Sequence, residues 1–402
     1  MDLLEPVIQP YAWGSHTAIA ELQGRPAPTA GPEAELWMGA HPSAPSGLER
    51  AGGRTTLDAV IAADPVGELG AECAERFGGR LPFLLKVLAA EKALSIQVHP
   101  SRAQAEAGYR AENEQGLAPG DKSRNYVDDW PKPEILCALT PFEVFAGMRA
   151  PSDAATLLLA LEISELVPFV AELRGGEAAL TSVLAAILTW PEETRGALVD
   201  AVVAACERLA ARGGKYAAAC FATARLAVEH PGDLGIVASL LLRYAVLRPG
   251  DAVFLPAGGL HAYLHGTGVE LLGNSDNVVR AGLTGKHIDV PELLKLTDPA
   301  VPVPVIEPRP LGGGECVYDS PAPEFRLYRA ELGPGEVTLP GRGARIVLCT
   351  EGAAALRSDP PAKHSGALKV AKGESCYLSA ADGTVTAAGP AALFIAGSGI
   401  DS

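Results

Sequence analysis

Leu94-Ser95-Ile96-Gln97-Val98-His99-Pro100 decides how this chain reads, because its side chains alternate with a period of two. As an extended strand it turns Leu94, Ile96 and Val98 to one side and Ser95, Gln97 and His99 to the other. The first face is oily. The second carries an amide and an imidazole, which either bind a ligand or meet water as the outer face of a half-solvated strand.

Short apolar runs of the same kind recur on both sides. Leu81 to Leu88 and Ile135 to Leu139 read as strands, as do Ala252 to Leu255, Ala344 to Cys349 and Ala391 to Ala396, between turns containing glycine or proline. Between residues 152 and 247 the texture changes to Ala- and Leu-rich helix. Leu198, Val202, Cys206 and Leu209 form an amphipathic stripe there, and Thr189-Trp190-Pro191-Glu192 fits a capping box with an early proline. The proline-rich stretch from Val301 to Pro310 reads as a linker, because proline cannot donate to a sheet. The order is therefore β, α, β, β, a mainly β protein with a helical insertion. At 402 residues the chain is long enough for two or three domains.

Composition narrows the function. A net charge of −15 opposes broad contact with nucleic acid or an anionic membrane, so an anionic ligand must meet a local basic cluster. The longest apolar stretch, near Leu234 to Leu247, contains Arg243 and falls short of the ~20 residues that span a bilayer. Seven scattered cysteines without a CxxC encode neither a disulfide framework nor a zinc module. Together with a start that lacks a secretory signal, they point to a reduced, cytoplasmic protein.

Three further segments carry candidate chemistry. Glu134 leads from Lys132-Pro133 into a buried run, a costly position unless the carboxylate is paired or bound to metal; an edge salt bridge also fits. His261 follows Gly258-Gly259 in a turn that either aims the ring at a site or merely holds structure. His265, four residues on, would pair with it only on a helix, which the glycines disfavour. From Gly268 to Lys286, Glu270, Asp276, two asparagines, Arg280 and Lys286 crowd an otherwise apolar stretch, as a site does, or as a polar loop does. Gln97, His99, Glu134 and His261 together offer a borderline N/O donor set suited to zinc or a similar divalent ion.

In these segments the sequence resembles the type I mannose-6-phosphate isomerases of the cupin superfamily. The matching stretches are Tyr11-Ala12-Trp13-Gly14, Glu35-Leu36-Trp37-Met38-Gly39 with His41-Pro42, Leu94 to Pro100, Lys132-Pro133-Glu134, Pro256 to Tyr263 and Ser275 to Lys286. They span the first three-quarters of the chain in order, and the last eighty or so residues add little. The resemblance implies a cupin-like β-barrel or jelly-roll catalytic domain of residues 1–150 plus 246–310. It also implies a helical insertion of residues 151–245 and a C-terminal cupin-like β-domain of residues 311–402. It implies one zinc ion per chain on Gln97, His99, Glu134 and His261. The implied reaction interconverts mannose 6-phosphate and fructose 6-phosphate through a cis-enediol, within carbohydrate metabolism and GDP-mannose biosynthesis.

Arg280 is expected at the active site, and Glu270 or a zinc-bound water is expected to carry the proton. Ser95, Lys132 and Lys286 are expected to bind phosphate with Arg280. The expected partner is a small sugar phosphate, and the chain is expected to be a monomer without nucleic acid or membrane contacts. Two departures from the family pattern stand out. Trp130-Pro131 replaces Asn-His ahead of Lys132, which puts the site wall and sugar preference in question, and Pro100-Ser101-Arg102 replaces Pro-Asp-Lys. Trp130-Pro131 keeps open a different sugar phosphate as substrate, and a metal-binding cupin that binds a sugar without turning it over is the alternative from another class.

Overall fold

The protein, seen in a computed structural model, is described over residues 1–359 and 367–400. One strand organises the first β unit. His261–Gly273 pairs through residues 266–273 with Phe83–Ala90 and Glu134–Ala138, and through its first residues with Ile96–Val98 and Phe142–Met148. It therefore serves two antiparallel layers. One runs Val305–Ile306, Ala252–Leu255, Glu134–Ala138, His261–Gly273, Phe83–Ala90, Glu35–Gly39, Val7–Gln9. The other adds Leu242–Leu247 and Val279–Gly282 at its margins.

The strand changes layer at Gly266, whose φ is +131°. A Cβ there would lie 2.7 Å from the Phe142 ring and 2.9 Å from the Pro141 carbonyl, so only glycine lets the chain bend so close to its neighbour. The C-terminal sheet repeats the device. Arg345–Asp359 serves both halves of the second sheet, which has ten strands among the described residues against eleven in the first, with a register shift between Cys349 and Glu351.

Alternation assigns the faces. On Phe83–Ala90, Leu85, Val87 and Ala89 point outward into a core shared with Tyr318, Leu327, Ile346, Tyr377 and Phe394 of the C-terminal sheet. Leu88 and Ala90 point inward, meeting Leu136, Phe142, Val144, Leu255 and Tyr263 between the layers. The helices from Pro151–Ala160 to Gly235–Ser239 bury Leu157, Val183, Leu198, Val202, Cys206 and Ile236 against the second layer, through Ile96, Val98, Phe145, Val279 and Ala281. Ile96 and Val98, from the oily face of the opening heptapeptide, thus lie under the helices.

Two local expectations are corrected. The helix Glu192–Arg212 begins without a side-chain cap, and the Thr189 hydroxyl instead donates back to the Ala185 carbonyl in the preceding helix, so no capping box forms. The stretch from Val301 to Pro310 is also more than a linker. Val305–Ile306 pairs with Ala252–Leu255, and Arg309–Gly312 pairs with Glu315–Tyr318, both at sheet margins where a proline's missing N–H costs nothing. Asp2–Leu3 joins the C-terminal sheet beside Ser375–Leu378. All seven cysteines are free thiols.

Candidate metal centre and active site

The inward face of the first layer turns polar at one end. Glu35, Lys86, Glu270 and Glu134 stand on four adjacent strands, with Lys86 opposite Glu270 across one ladder and Leu136 opposite Glu270 across the next. All four are at least nine-tenths buried. From the second layer come Gln97 and His261, which are direct register partners, and Arg280, which lies opposite Gln97. His99 follows immediately after Ile96–Val98. The bend at Gly266 is what lets one strand supply His261 to one wall and Glu270 to the other.

Both imidazoles have their tautomer set by a backbone carbonyl. His99 Nδ1 donates to Asn277 O at 2.7 Å, and His261 Nδ1 donates to Gly259 O at 2.9 Å. Each ring therefore turns an unprotonated Nε2 inward. These lie 3.2 Å and 3.4 Å from the two Glu134 carboxylate oxygens. Two lone pairs and a carboxylate facing one another repel unless a cation sits among them. His99 Nε2 and Glu134 Oε2 are buried with no hydrogen-bond partner, a pattern that suits metal ligands and little else.

The donor atoms of His99, Glu134 and His261 all lie within 4.8 Å of one another. The Gln97 amide reaches His261 Nε2 at 3.3 Å, and a half-turn of that amide presents its oxygen instead. These residues fit a divalent metal of borderline character, with carbonyl acceptors on the outer ring nitrogens as such centres require. Electrostatics agrees. Burial holds the His99 ring down at about 4, so it stays neutral. Burial alone would raise Glu134, but the Lys132 ammonium outweighs it and keeps the carboxylate ionised.

Beside the donors lies a second group. Lys86 Nζ is 3.4 Å from Glu35 and 3.6 Å from Glu270, and it rests 4.7 Å from the centre of the Trp37 ring. Burial would lower the ammonium, yet Glu35 and Glu270 hold it above its ordinary value. Glu270 is pushed up to about 7, by burial first and by Glu134 second, with Lys86 opposing. It can therefore take or give a proton near neutral pH. Lys132 Nζ sits 3.1 Å from Glu134 Oε1. Arg280 is half-buried, and burial lowers it. Lys286 is lowered by burial and by Arg280, which places two cations within each other's field. Ser95 is half-buried just before Ile96–Val98.

The structure thus brings Gln97, His99, Glu134, His261, Lys132 and Glu270 into one buried cluster, with Arg280 beside Gln97. Lys286 lies on the exposed turn beyond it. His265 is exposed on a strand, not paired with His261 on a helix. Lys86 and Glu35 join the cluster without having been singled out by residue type or spacing. Lys86 does leave a signal, since period-two alternation puts it on the inward face with Leu84 and Leu88, where an ammonium is costly.

The two departures from the family pattern meet. Trp130 packs in the core 6.0 Å from Phe77, with the guanidinium of Arg80 at 4.7 Å from its ring centre and that of Arg102 at 5.4 Å. Ser101 caps the helix Arg102–Glu114 in a capping box with Gln104. Trp130-Pro131 and Ser101-Arg102 are therefore parts of one packing unit.

Residues 1–151 match the family model described as phosphomannose isomerase type I, catalytic domain. The chain is 38% identical over 395 residues to mannose-6-phosphate isomerase of Escherichia coli (strain K12), covering 97% of each. A crystal structure of a phosphomannose isomerase mutant from Salmonella typhimurium superposes with a TM-score of 0.90 at 35% identity, over 99% of both chains. A zinc-bound mannose 6-phosphate isomerase superposes with a TM-score of 0.88 at 35% identity, again over 99% of both.

Proposed function

The chain belongs to the type I phosphomannose isomerases, and from that premise we propose that it interconverts mannose 6-phosphate and fructose 6-phosphate at this cluster. Zinc would be held by His99, Glu134 and His261, whose donor atoms converge, with the Gln97 amide oxygen as the fourth donor once that amide is turned over. Bound there, zinc supplies Lewis-acid stabilisation of the negative charge that develops on the sugar oxygens.

The protein's own groups do the rest. The Glu270 carboxylate takes the proton from carbon two of the aldose and returns it to carbon one, while the hydroxyl proton passes from the second oxygen to the first. Lys86 keeps Glu270 in place and sets a fixed positive charge beside it. Arg280 faces the developing enediolate, a charge it stabilises without reorganising. Lys286, Lys132 and the Ser95 hydroxyl receive the phosphate with Arg280, as the local basic cluster that an acidic protein needs.

We read residues 1–150 with 246–310 as the catalytic unit, 151–245 as the insertion and 311–402 as the C-terminal unit, acting as a cytoplasmic monomer. Among the described residues no helix is long and apolar enough to cross a membrane.

The observation that carries this reading is the convergence of two unprotonated Nε2 atoms on the buried Glu134 carboxylate, with the buried Glu270 carboxylate on the neighbouring strand. A coupled assay for fructose 6-phosphate formed from mannose 6-phosphate tests it, before chelation, after chelation and after zinc is restored. Turnover should vanish and return. Folded, zinc-loaded protein without turnover would overturn the substrate assignment.

A further inference from the structure

Asp128 belongs to none of the groups that face the metal cluster, yet its carboxylate accepts four hydrogen bonds. Oδ1 takes them from the Ser275 hydroxyl at 2.8 Å, the Trp130 N–H at 2.9 Å and the Asn277 amide at 3.2 Å. Oδ2 takes one from the Asp276 N–H at 2.9 Å. Asn277, fully buried, answers through its amide oxygen, which accepts from the N–H groups of Val127 at 2.8 Å and Asp128 at 3.2 Å. Its amide nitrogen donates to the carbonyls of Asp128 and Trp130, both at 2.8 Å. The main-chain carbonyl of this same Asn277 receives the His99 Nδ1 proton.

We propose that Asp128 is a positioning residue for the metal, locking the turn at residues 275–277 so that the Asn277 carbonyl holds the His99 ring aimed at the ion. This rests on the reading of His99 as a zinc ligand. The chain of hydrogen bonds from Asp128 through Asn277 to His99 is continuous. A carbonyl on the outer nitrogen of a ligand imidazole fixes both its tautomer and its orientation, and it raises the basicity of the inner nitrogen. Without the carboxylate, the Asp276 N–H loses its acceptor and the Ser275 hydroxyl keeps only the Trp130 carbonyl at 3.2 Å, so the turn that presents the Asn277 carbonyl is free to shift.

The same loop has anchors that bypass this chain. Asn125 donates to Asp289 at 2.8 Å, and the Tyr126 hydroxyl meets Glu292, both tying the loop to the helix Val290–Leu296. Asn125→Ala therefore loosens the loop without touching residues 275–277, which separates positioning of His99 from general support.

The experiment is zinc competition against a coloured chelator on metal-stripped protein, for the native chain and for Asp128→Ala, Asp128→Asn, Asn125→Ala and His99→Ala. Asp128→Ala should bind zinc ~10- to 100-fold more weakly, the usual effect of removing an outer partner of a ligand. Asp128→Asn, which keeps one acceptor oxygen, should fall between, and it carries the comparison if the alanine variant does not fold. Asn125→Ala should bind as the native chain does. Turnover of Asp128→Ala should be depressed at limiting zinc and recover as zinc is raised, with KM for the sugar phosphate unmoved.

Native affinity in a folded Asp128→Ala would overturn the proposal, as would equal weakening by Asn125→Ala. Undiminished zinc binding by His99→Ala would instead bring down the ligand assignment itself, and the proposal with it.

Discussion

Replacing Glu270 with glutamine should stabilise the protein and silence it at once. The carboxylate is 3% exposed and lies on the inward face of a central strand, with Glu35 and Glu134 as like-charged neighbours. Its pKa rises from the ordinary 4.5 to about 7. Between those values the folded protein holds a proton that the unfolded chain has released, so stability falls as pH rises through that window. At about 1.4 kcal/mol per pH unit, the rise corresponds to about 3 kcal/mol, fully lost above about pH 8.

Glutamine has the same shape and no charge to bury, and Lys86 keeps Glu35 as its partner at 3.4 Å. Glu270→Gln should thus come within about 1 kcal/mol of the native chain near pH 5 and exceed it by about 3 kcal/mol near pH 8. The assay is urea unfolding followed by tryptophan fluorescence across that range. It is done on metal-stripped protein, because a cation beside Glu134 would itself pull Glu270 down. The same variant, reloaded with zinc, should lose ~10²- to 10⁴-fold in kcat, the usual contribution of a general base. A gain that does not change with pH, or a variant less stable than the native chain near pH 8, would refute the argument that burial raises this group. Retained turnover would place the base elsewhere.

Three more outcomes follow from the same geometry. Lys286→Ala removes a charge-assisted donor to phosphate, worth about 1.5–3 kcal/mol, so KM for mannose 6-phosphate should rise ~10- to 100-fold with kcat less affected in steady-state kinetics. Trp130→Ala empties a site between Phe77 and two guanidinium groups and should cost about 3–5 kcal/mol in urea unfolding, while KM stays in place because the ring faces the core. Gly14→Ala places a Cβ 2.5 Å from the main chain of Ala34 and should cost at least about 1–3 kcal/mol, read as a lower thermal midpoint.

The donor set is legible in the sequence, because ligand chemistry is a property of residue type. An amide, two imidazoles and a carboxylate name a class of metal wherever they meet. The strand at Ile96–Val98 is legible because alternation is local, and the stripe through Leu198, Val202 and Cys206 is legible because a helix repeats every 3.6 residues.

Where local expectations break, the causes are identifiable. The capping box at Thr189 loses to a back-bond onto Ala185, an alternative that Thr side chains always carry. The prolines between Val301 and Pro310 argue against a strand, yet sheet margins accept them. Alternation places Lys86 on the inward face with Leu84 and Leu88, but its partners Glu35 and Glu270 lie on other strands, so no local window shows what the ammonium pairs with.

The sequence by itself determined which groups are available and which face of each strand they take, since side-chain chemistry and the period of two are set within a few residues. Only the tertiary structure decided that Glu35, Lys86, Glu134 and Glu270 share one end of one face, that His261 pairs with Gln97 in one layer and faces Glu134 of the other, and that Asp128 reaches His99 through Asn277. Register between strands far apart in the chain depends on packing both faces of a sheet at once, and no short window of sequence contains that information.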